Sequence, residues 1–454
     1  MAMKAYESYK NVDLPWLKRV PEHWEIARNK NFLSERKAIV GDNFTNYSLL
    51  SLTLNGIIIR DVNNGKGKFP ASFNTYKIVS PGDIVFCLFD MDETPRTVGL
   101  STHHGMITNA YEVLGVHNIN PQYLYYYYLQ LDNRKALKPL YHGLRKTISI
   151  GTFLQTKLPV PPKEEQEQIV RYLDWQNSRL NKLINAKKKE IALLEEQKQA
   201  LISQAVTKGL DPHAPLKDSG IDWIGQIPEH WEIKRIKNLF SLRDERNYRP
   251  LNEVNLLSLY ASKGVLEHSQ IDKIRGNKAS NADNYKLVYR DDIVVNIILC
   301  WMGAIGRSSF NGVTSPAYDV YKPNNGVNCN YYHHYFRMKN FSGECYKVGR
   351  GIMDVRWRTY SEDFTNIKVL TPPINEQSKI AEYAEKISGH TNKLIEVLTH
   401  YVSFLQEYRT RLVADVVTGQ IDVRHIAIPN YETITETIDQ PETDEDSTIC
   451  TEDQ

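Results

Sequence analysis

The longest regular alternation of apolar and polar positions lies in residues 164–207. Apolar side chains recur there in steps of four and three, and charged side chains fill many of the positions between them. No proline or glycine occurs between Lys163 and Gly209. This spacing predicts one uninterrupted helix with a coiled-coil seam, and at 1.5 Å per residue the helix would be roughly 66 Å long. A helix of that length needs a partner to cover its apolar seam.

A second stretch, residues 375–418, carries the same spacing at a shift of 211 residues. Behind two adjacent prolines, each stretch opens with a Glu-Gln pair, Glu165-Gln166 in the first and Glu376-Gln377 in the second. We therefore predict that the two helices pair with each other. The apolar side chains expected at their contact are Leu173, Leu180, Ile184, Ile191, Leu194, Leu201, Ile395, Leu398, Val402, Leu405 and Leu412.

Three polar residues interrupt this seam in the first helix, namely Asn177, Lys187 and Lys198. Polar residues at seam positions usually fix the register of a helix pair at some cost in stability. We expect that role for these three side chains.

The segments before the two helices repeat as well. The sequence Pro-Glu-His-Trp-Glu-Ile at residues 21–26 recurs at residues 228–233, and Leu-Leu-Ser-Leu at residues 49–52 recurs at residues 256–259. The chain is therefore a tandem duplication of about 210 residues, each copy a globule followed by a long helix. The predicted boundaries are residues 1–163 for the first globule, 164–209 for the first helix, 210–374 for the second globule, 375–418 for the second helix, and 419–454 for a disordered acidic tail.

Shorter patterns inside the first globule predict both helix and strand. Residues 47–60 alternate as strands do, with a turn at Asn55-Gly56, and residues 107–116 predict one further strand. Residues 121–131 predict a tyrosine-rich helix. Helix and strand mix without the regular β-α-β order of a parallel sheet, so we predict α+β globules.

Composition places the chain among ordinary water-soluble proteins, with 41% hydrophobic and 24% charged residues. The first residues lack the basic-then-apolar layout of a signal peptide, and the most apolar run, residues 293–305, is too short to cross a bilayer. The five cysteines show no CxxC pair and no metal-ligand spacing. We therefore expect a cytoplasmic protein without a membrane partner.

The net charge of +2 hides a gradient along the chain. Residues 1–163 contain 20 Lys and Arg against 13 Asp and Glu, and residues 210–374 contain 22 against 18. The tail from residue 419 contains 1 basic residue and 10 acidic residues. Positive charge therefore concentrates on the two globules, which is compatible with binding a polyanion such as DNA.

Motifs of catalysis are missing from the sequence. We find no phosphate-binding loop GxxxxGK[ST], no GxGxxG at the start of a helix, and no Asn/Asp-Pro-Pro-aromatic motif of amino-methylating enzymes. The adjacent histidines at 103–104 and 333–334 do not have the spacing of HExxH, and buried or surface histidines are more common than metal ligands. We therefore predict no catalytic residue and no metal site in this chain.

Basic residues in predicted loops are the candidates for contacting DNA. Arg and Lys can bond to guanine in the major groove, and the competing interpretation for each is a solvated charge or a phosphate contact. The candidates are Arg96, Arg145 and Lys146 in the first globule and Arg307, Arg350, Arg356 and Arg358 in the second.

Three features together resemble the specificity (S) subunit of type I restriction–modification systems. They are the repeated Pro-Glu-His-Trp-Glu openings, the Pro-Pro-x-x-Glu-Gln helix starts at residues 161–166 and 372–377, and the Val-Thr and Asp positions at the helix ends. The resemblance covers nearly the whole chain. It implies two target-recognition domains on helices that pair antiparallel, with helix length setting the spacer between the halves of a bipartite DNA site.

The resemblance also implies partners and their cofactors. The partners would be double-stranded DNA, two methyltransferase (M) subunits that methylate adenine, and restriction (R) subunits that translocate and cleave. S-adenosylmethionine, ATP and Mg²⁺ would bind to those subunits, and no cofactor to this chain. Two other functions remain open from the residues alone: a stand-alone DNA methyltransferase or nuclease, and a coiled-coil scaffold without a DNA role.

Overall fold

A computed structural model describes residues 4–60, 72–143, 146–261, 263–270, 281–351 and 357–437. The chain divides into two compact units, of which unit 1 comprises residues 1–187 and 400–437 and unit 2 comprises residues 188–399 and 438–454. Both divisions fall inside the long helices. Each unit therefore holds one globule together with part of each helix.

The first copy of the repeat contains twelve short strands and three α-helices within the described residues. The strands are β1 Tyr9–Leu14, β2 Leu17–Pro21, β3 Glu25–Arg28, β4 Leu33–Glu35, β5 Leu50–Thr53, β6 Gly56–Ile59, β7 Lys77–Val79, β8 Ile84–Phe86, β9 Val98–Leu100, β10 Gly105–Ile107, β11 Glu112–Val116 and β12 Lys157–Val160. The helices are α1 Pro121–Asn133, α2 Ile150–Gln155 and the long α3 Lys163–Lys208.

The second copy follows the same order. Its strands are β13 Leu216–Asp218, β14 Gln226–Pro228, β15 Glu232–Arg235, β16 Phe240–Leu242, β17 Leu257–Tyr260, β18 Gly264–Glu267, β19 Lys286–Val288, β20 Ile293–Asn296, β21 Ile305–Arg307, β22 Gly312–Thr314, β23 Tyr318–Pro323 and β24 Lys368–Thr371. Its helices are α4 Ile236–Leu239, α5 Cys329–Phe336, α6 Lys339–Val348, α7 Ser361–Asn366 and the long α8 Ile374–Val417. In the described part of the chain, no helix combines the length and the apolar character needed to cross a membrane.

The two copies share one sheet topology, which confirms the predicted α+β tandem repeat. Unit 1 contains a four-stranded antiparallel sheet in the order β4-β11-β8-β9, and unit 2 contains one in the order β16-β23-β20-β21. In each unit the strand after the His-Trp opening pairs with the strand before the long helix, as β3 with β12 and β15 with β24. This pairing brings the opening next to the start of the long helix.

Local signals place most of the predicted elements of the first globule. The turn at Asn55-Gly56 joins β5 to β6, and Gly56 has a positive φ of 87°, which favours glycine. The side chain of Asn120 caps α1 by accepting from the backbone N–H of Gln122 and Tyr123. The prediction of one strand over residues 107–116 is wrong, because a turn from Thr108 to Tyr111 separates β10 from β11 and the two pair with different strands.

Both long helices contribute to the core of each unit. In unit 1 the fully buried Trp24 lies in one apolar cluster with Leu173 of α3 and Leu412 of α8. In unit 2 Trp231 takes the equivalent place, in a cluster that contains the end of α3 and the start of α8. A large buried aromatic side chain contributes much of the apolar area that stabilises such a core.

The predicted disorder of the tail is wrong for residues 419–437. The buried Val423 joins the core of unit 1, and Gln168 of α3 donates from Nε2 to the carbonyl oxygens of Val423 and Ile426 at 3.0 and 2.8 Å. Further along, residues 432–437 are hydrogen-bonded to α3 through their backbone. Composition did not predict that this segment is ordered, because backbone N–H and C=O groups hold it in place and every amino-acid sequence has those groups. Residues 438–454 lie outside the described part of the chain.

Candidate nucleic-acid interface

Each long helix is joined to its globule by a carboxylate near the start of the helix. In unit 1 the side chain of Glu165 is 5% exposed, and its Oε1 accepts from Tyr6 Oη at 2.6 Å and from Trp24 Nε1 at 2.9 Å. Its Oε2 lies 2.7 Å from His23 Nε2. The repeated His-Trp pair therefore meets the repeated Glu at this junction.

Unit 2 forms the same junction with fewer contacts. Glu376 Oε2 accepts from Trp231 Nε1 at 2.9 Å, and its Oε1 lies 2.5 Å from His230 Nε2. The side chain of Glu376 is 36% exposed. The junction of unit 2 is thus more open to water than that of unit 1.

The glutamine after each of these carboxylates also has one role in both units. Gln166 Oε1 accepts from the backbone N–H of Asn120 at 2.8 Å, and Gln377 Oε1 accepts from that of Asn328 at 2.9 Å. Asn120 and Asn328 are the N-caps of the tyrosine-rich helices α1 and α5. Each Glu-Gln pair therefore fixes the long helix to two different parts of its own globule.

A basic loop occupies the equivalent place in each unit, just before the short helix α2 or α7. In unit 1 an antiparallel bridge between His142 and Thr147 closes the loop, with a backbone hydrogen bond of 3.0 Å. In unit 2 Arg350 and Arg358 form the same kind of bridge, with backbone hydrogen bonds of 2.8 and 3.0 Å. Each loop therefore has a fixed base, and most of the predicted DNA-contacting residues belong in sequence to these two loops.

Aromatic packing and one ion pair hold the base of the loop in unit 2. The ring of Trp357 stacks on Tyr346 with 4.9 Å between centroids. The side chain of Arg350 is 69% exposed, and its Nη2 lies 2.5 Å from Asp363 Oδ1. Arg358 is half-buried. The guanidinium of Arg350 is thus oriented by one carboxylate and still open to a phosphate or a base.

Two predicted DNA-contacting residues, Arg96 and Arg307, form ion pairs within their own globules. Arg96 is 15% exposed, and its Nη1 binds Asp132 Oδ2 at 3.2 Å and Asn133 Oδ1 at 2.8 Å. Arg307 is 19% exposed, and its Nη1 lies 2.6 Å from Asp291 Oδ1. Each guanidinium is largely buried against an acidic partner that sequence position alone does not reveal, and contact of either residue with DNA stays a prediction.

Lys146 keeps its predicted place on the loop surface of unit 1. Its side chain is 49% exposed, and its Nζ lies 3.5 Å from Asp92 Oδ2. Lys138, which is not among the predicted DNA-contacting residues, lies with its Nζ 3.3 Å from Asp92 Oδ1. Desolvation raises the pKa of Asp92, but hydrogen bonds from Tyr141 and Lys138 outweigh it and hold that pKa below its usual value. Lys138 could have been found by its position three residues before Tyr141, where the basic loop begins.

The other two candidates, Arg145 and Arg356, lie outside the described residues. The candidates therefore divide by role. Lys146 and Arg350 lie exposed on the two basic loops, Arg358 forms part of a loop base, and Arg96 and Arg307 lie largely buried in ion pairs within the globules.

The surroundings of the adjacent His333 and His334 in unit 2 keep both rings neutral. His333 Nδ1 accepts from the backbone N–H of Arg307 at 3.1 Å, which requires a neutral ring nitrogen. Burial, together with the positive charges of the neighbouring Arg337 and Arg307, lowers the pKa of His333 to about 3 and that of His334 to about 4. Within the described residues, no three His, Cys, Asp or Glu side chains form a group that could hold a metal ion.

In unit 1 the two long helices contact each other in opposite chain directions. The buried Ile184 of α3 packs with Val402 and Leu405 of α8, and Leu173 shares a cluster with Leu412. Lower residue numbers on α3 therefore meet higher numbers on α8. All eleven apolar residues expected at the helix contact are buried or half-buried.

Polar residues of the seam form an equivalent contact in each unit. In unit 2 Lys198 Nζ donates to Asn392 Oδ1 at 3.0 Å, and in unit 1 Arg409 Nη1 donates to Asn181 Oδ1 at 2.7 Å. Lys198 and Arg409 are 211 positions apart, and so are Asn181 and Asn392. The role expected for Asn177 is wrong, because its amide donates to a tyrosine hydroxyl of α1 at 3.2 Å.

A second apolar stripe on α8 lies outside the seam. In unit 1 it consists of Tyr401, Phe404 and Tyr408, which are 40%, 60% and 37% exposed. In unit 2 it consists of Leu394 and Val397, which are 43% and 65% exposed. Steps of three and four residues place these side chains along one side of the helix. Exposed apolar side chains at this spacing are typical of a surface that another helix covers.

Comparisons with known proteins agree on one family. Residues 54–193 match the family described as the type I restriction modification DNA specificity domain. The MjaVIII type I restriction enzyme specificity subunit of Methanocaldococcus jannaschii is 27% identical over 238 residues, which are 51% of this chain and 52% of that protein. This match therefore spans about half the length of the relative. The putative MjaX specificity subunit of the same organism is 23% identical over 444 residues, which are 92% of this chain and 97% of that protein.

A solved structure of the type I R-M system, described in terms of complex assembly and conformational transition, shares the fold. It covers 88% of this chain and 99% of its own, with a TM-score of 0.61 and 13% sequence identity. At that identity the likeness concerns the fold, and the fold agrees along nearly the full length of both chains.

Proposed function

We propose that this chain, which is similar to type I restriction–modification specificity subunits, is the non-catalytic subunit that recognises DNA in such a complex. Its target would be a bipartite site with one half-site for each unit. The repeated topology carries the proposal, because two equivalent scaffolds present unlike basic loops. Unlike loops favour two different half-sites, and hence an asymmetric target sequence.

The basic loops are the part of each unit that we assign to DNA. Lys146 and Arg350 are exposed and lie on loops with a fixed base. Arg145, Arg356 and Arg358 belong to the same two loops in sequence. Contacts to phosphate would supply affinity, and contacts of Arg or Lys to guanine would supply specificity.

Partner subunits would supply the chemistry. We propose that two methyltransferase subunits dock on the long helices, where the exposed stripe of α8 offers apolar surface in both units. Restriction subunits would join the same complex. S-adenosylmethionine, ATP and Mg²⁺ would bind to those partners, because this chain has no nucleotide-binding or amino-methylating motif. The complex would act in the cytoplasm, where its DNA target is found.

Binding to duplex DNA at two salt concentrations tests the DNA-recognition role. Phosphate contacts release counterions, so affinity should fall by about 100-fold or more between about 50 and 200 mM salt. A gel-shift titration with the purified chain, alone and with the methyltransferase subunit, measures this change. Binding that does not depend on salt would favour the scaffold without a DNA role.

Incubation with DNA and a labelled methyl donor tests the alternative of an independent enzyme. Under the proposal, the purified chain transfers no methyl group and leaves the DNA uncut until partner subunits are added. Methyl transfer or cleavage by the chain alone would favour a stand-alone methyltransferase or nuclease. Mapping methylated adenines in the source genome would then identify the two half-sites.

A further inference from the structure

The C-terminal segment of unit 1 lies on α3 in a way that resembles a bound peptide. We call residues 430–437 the strap. Six of its eight side chains are exposed, and only Ile434 and Glu436 are half-buried. The strap is therefore held mainly through its backbone.

Three polar side chains on one side of α3 hold that backbone. Ser178, Asn181 and Asn185 are spaced by three and four residues, which aligns them along the helix. We call them the polar ladder. Their contacts are Ser178 Oγ to Glu432 O at 2.5 Å, Ile434 N to Ser178 Oγ at 2.8 Å, Asn181 Nδ2 to Ile434 O at 2.8 Å, Asn185 Nδ2 to Thr435 O at 2.9 Å and Thr437 N to Asn185 Oδ1 at 2.8 Å.

These contacts suit any extended peptide. An Asn side chain can donate to a backbone carbonyl and accept from a backbone N–H, so it binds a peptide without selecting its side chains. The side chains of Ser178 and Asn185 each donate one hydrogen bond to a carbonyl of the strap and accept another from an N–H of the strap. Main-chain hydrogen bonds of this kind give affinity, and a pocket for one side chain gives specificity.

A single carboxylate of the strap occupies such a pocket on α8. Glu436 Oε1 accepts from Gln406 Nε2 at 2.6 Å, and its Oε2 lies 2.7 Å from Arg409 Nη1. The side chain of Glu436 is 16% exposed, whereas Glu432 is exposed and contributes only its backbone carbonyl. The pocket therefore selects an acidic residue at one position of the peptide.

The second copy of the repeat lacks this set of residues. At a shift of 211 positions, Gly389 replaces Ser178 and Glu396 replaces Asn185. Glu195 of the first helix stands where Gln406 stands in the second. The ladder and its pocket are therefore specific to unit 1 and do not follow from the duplication.

We propose that α3 and α8 form, in unit 1, a binding site for an extended peptide with one carboxylate, and that the strap fills this site as a displaceable occupant. Few apolar contacts hold the strap, so it opens at a lower free energy than the core. Its covalent attachment keeps it at a high effective concentration next to the site. Any partner segment of the same chemistry must compete with the strap.

The test uses a fluorescent peptide of residues 428–437 and fluorescence anisotropy. A chain truncated after residue 427 should bind the peptide, and the full chain should bind it at least about tenfold more weakly, because the tethered strap competes. A peptide with Glu436→Lys should lose about tenfold in affinity or more, and a peptide with Glu432→Lys should bind as the native one does. Equal binding to both chains, no binding to either, or full affinity of the Glu436→Lys peptide would overturn the proposal.

A full-length variant covers the case in which the truncated chain fails to fold. Glu436→Lys places a cation beside Arg409 and should release the strap, while Glu432→Lys should not. Hydrogen exchange of residues 430–437 should become faster in the first variant only, and that variant should gain binding of the native peptide. A Glu436→Lys chain that exchanges slowly, or that binds no added peptide, would refute the site. None of these measurements requires DNA or a methyltransferase subunit.

Discussion

One buried carboxylate carries much of the connection between the first globule and its long helix. Glu165 accepts hydrogen bonds from two donors and lies next to a third, and water cannot replace it at that depth. Glu376 has the same sequence environment but is more exposed. The free energy that each contributes should therefore differ, although the motif is the same.

Replacing Glu165 by alanine should lower the free energy of unfolding by about 3 kcal/mol, because buried donors of Tyr6 and Trp24 lose their acceptor. Glu376→Ala should cost less than about 1 kcal/mol, because solvent screens that exposed site. Urea unfolding followed by tryptophan fluorescence measures both. Glu164→Ala is the control, since Glu164 is exposed on the same turn. Equal losses for Glu165→Ala and Glu164→Ala would show that the junction adds nothing to stability.

The histidine pair of unit 2 predicts a pH dependence of stability. Folding lowers the pKa of His333 to about 3 and that of His334 to about 4, so the unfolded chain binds more protons than the folded chain between those values and about 6.5. Stability is then fully present above about pH 6.5 and is lost as the pH falls towards 4. The melting temperature of His333→Asn should fall less between pH 7 and pH 5 than that of the native chain.

His213→Asn is the matched control for this pH experiment. His213 belongs to the same unit and is exposed. Its replacement should leave the pH dependence of the melting temperature unchanged. A native melting temperature that stays constant between pH 7 and pH 5 would contradict the prediction, because two half-buried histidines that are neutral in the folded chain require a loss.

At the scale of elements, the long helices show what a sequence pattern can and cannot predict. The seam was predictable because its spacing is a property of consecutive residues, and Ile184 and Leu405 are buried as that spacing requires. Asn177 was assigned wrongly because α3 meets α1 as well as α8. The same limit applies to Arg96, whose partner Asp132 lies 36 residues away and becomes a neighbour only in the fold.

Composition alone also could not predict that residues 430–437 adopt an ordered structure. An acidic segment with few apolar residues predicts disorder, and residues 430–437 bury little of their side chains. The residues that order this segment lie on α3, where Ser178, Asn181 and Asn185 form the polar ladder beside the seam. A row of polar side chains on a helix is ordinarily a solvated surface. Only the structure shows that this row binds a peptide segment instead.

Replacing Ile184 by alanine should lower the free energy of unfolding by about 3 kcal/mol, because a buried cavity remains between the helices. Leu193→Ala removes a side chain of the same size from α3, but Leu193 is 54% exposed, so its cost should stay within about 0.5 kcal/mol. Thermal unfolding followed by circular dichroism compares the two variants. A loss at Leu193 as large as that at Ile184 would contradict the assignment of the seam.

At the scale of the whole molecule, the two copies of the repeat share their scaffold and differ in the basic loops that we propose contact DNA. The sheet order, the Glu-Gln junction and the Asn contact of each helix recur in both copies. The basic loops occupy equivalent places but differ in length and sequence, since the loop in unit 1 spans residues 142–147 and that in unit 2 spans residues 350–358. Under the proposed function, changes to the helices and changes to the loops should therefore affect different properties of the DNA target.

Deleting seven consecutive residues from each of α3 and α8 tests whether the helices and the loops control different properties of the DNA target. Seven residues preserve the spacing of the seam and remove about 10 Å of helix, which corresponds to about 3 base pairs of B-DNA. The complex reconstituted with the deleted chain should prefer a spacer shorter by about 3 base pairs, and it should keep both half-sites. Selection of bound duplexes from a library with random spacers and half-sites, followed by sequencing, measures both properties. A matched insertion of seven residues in each helix should lengthen the preferred spacer, and altered half-sites with an unchanged spacer would show that the helices do not set the separation.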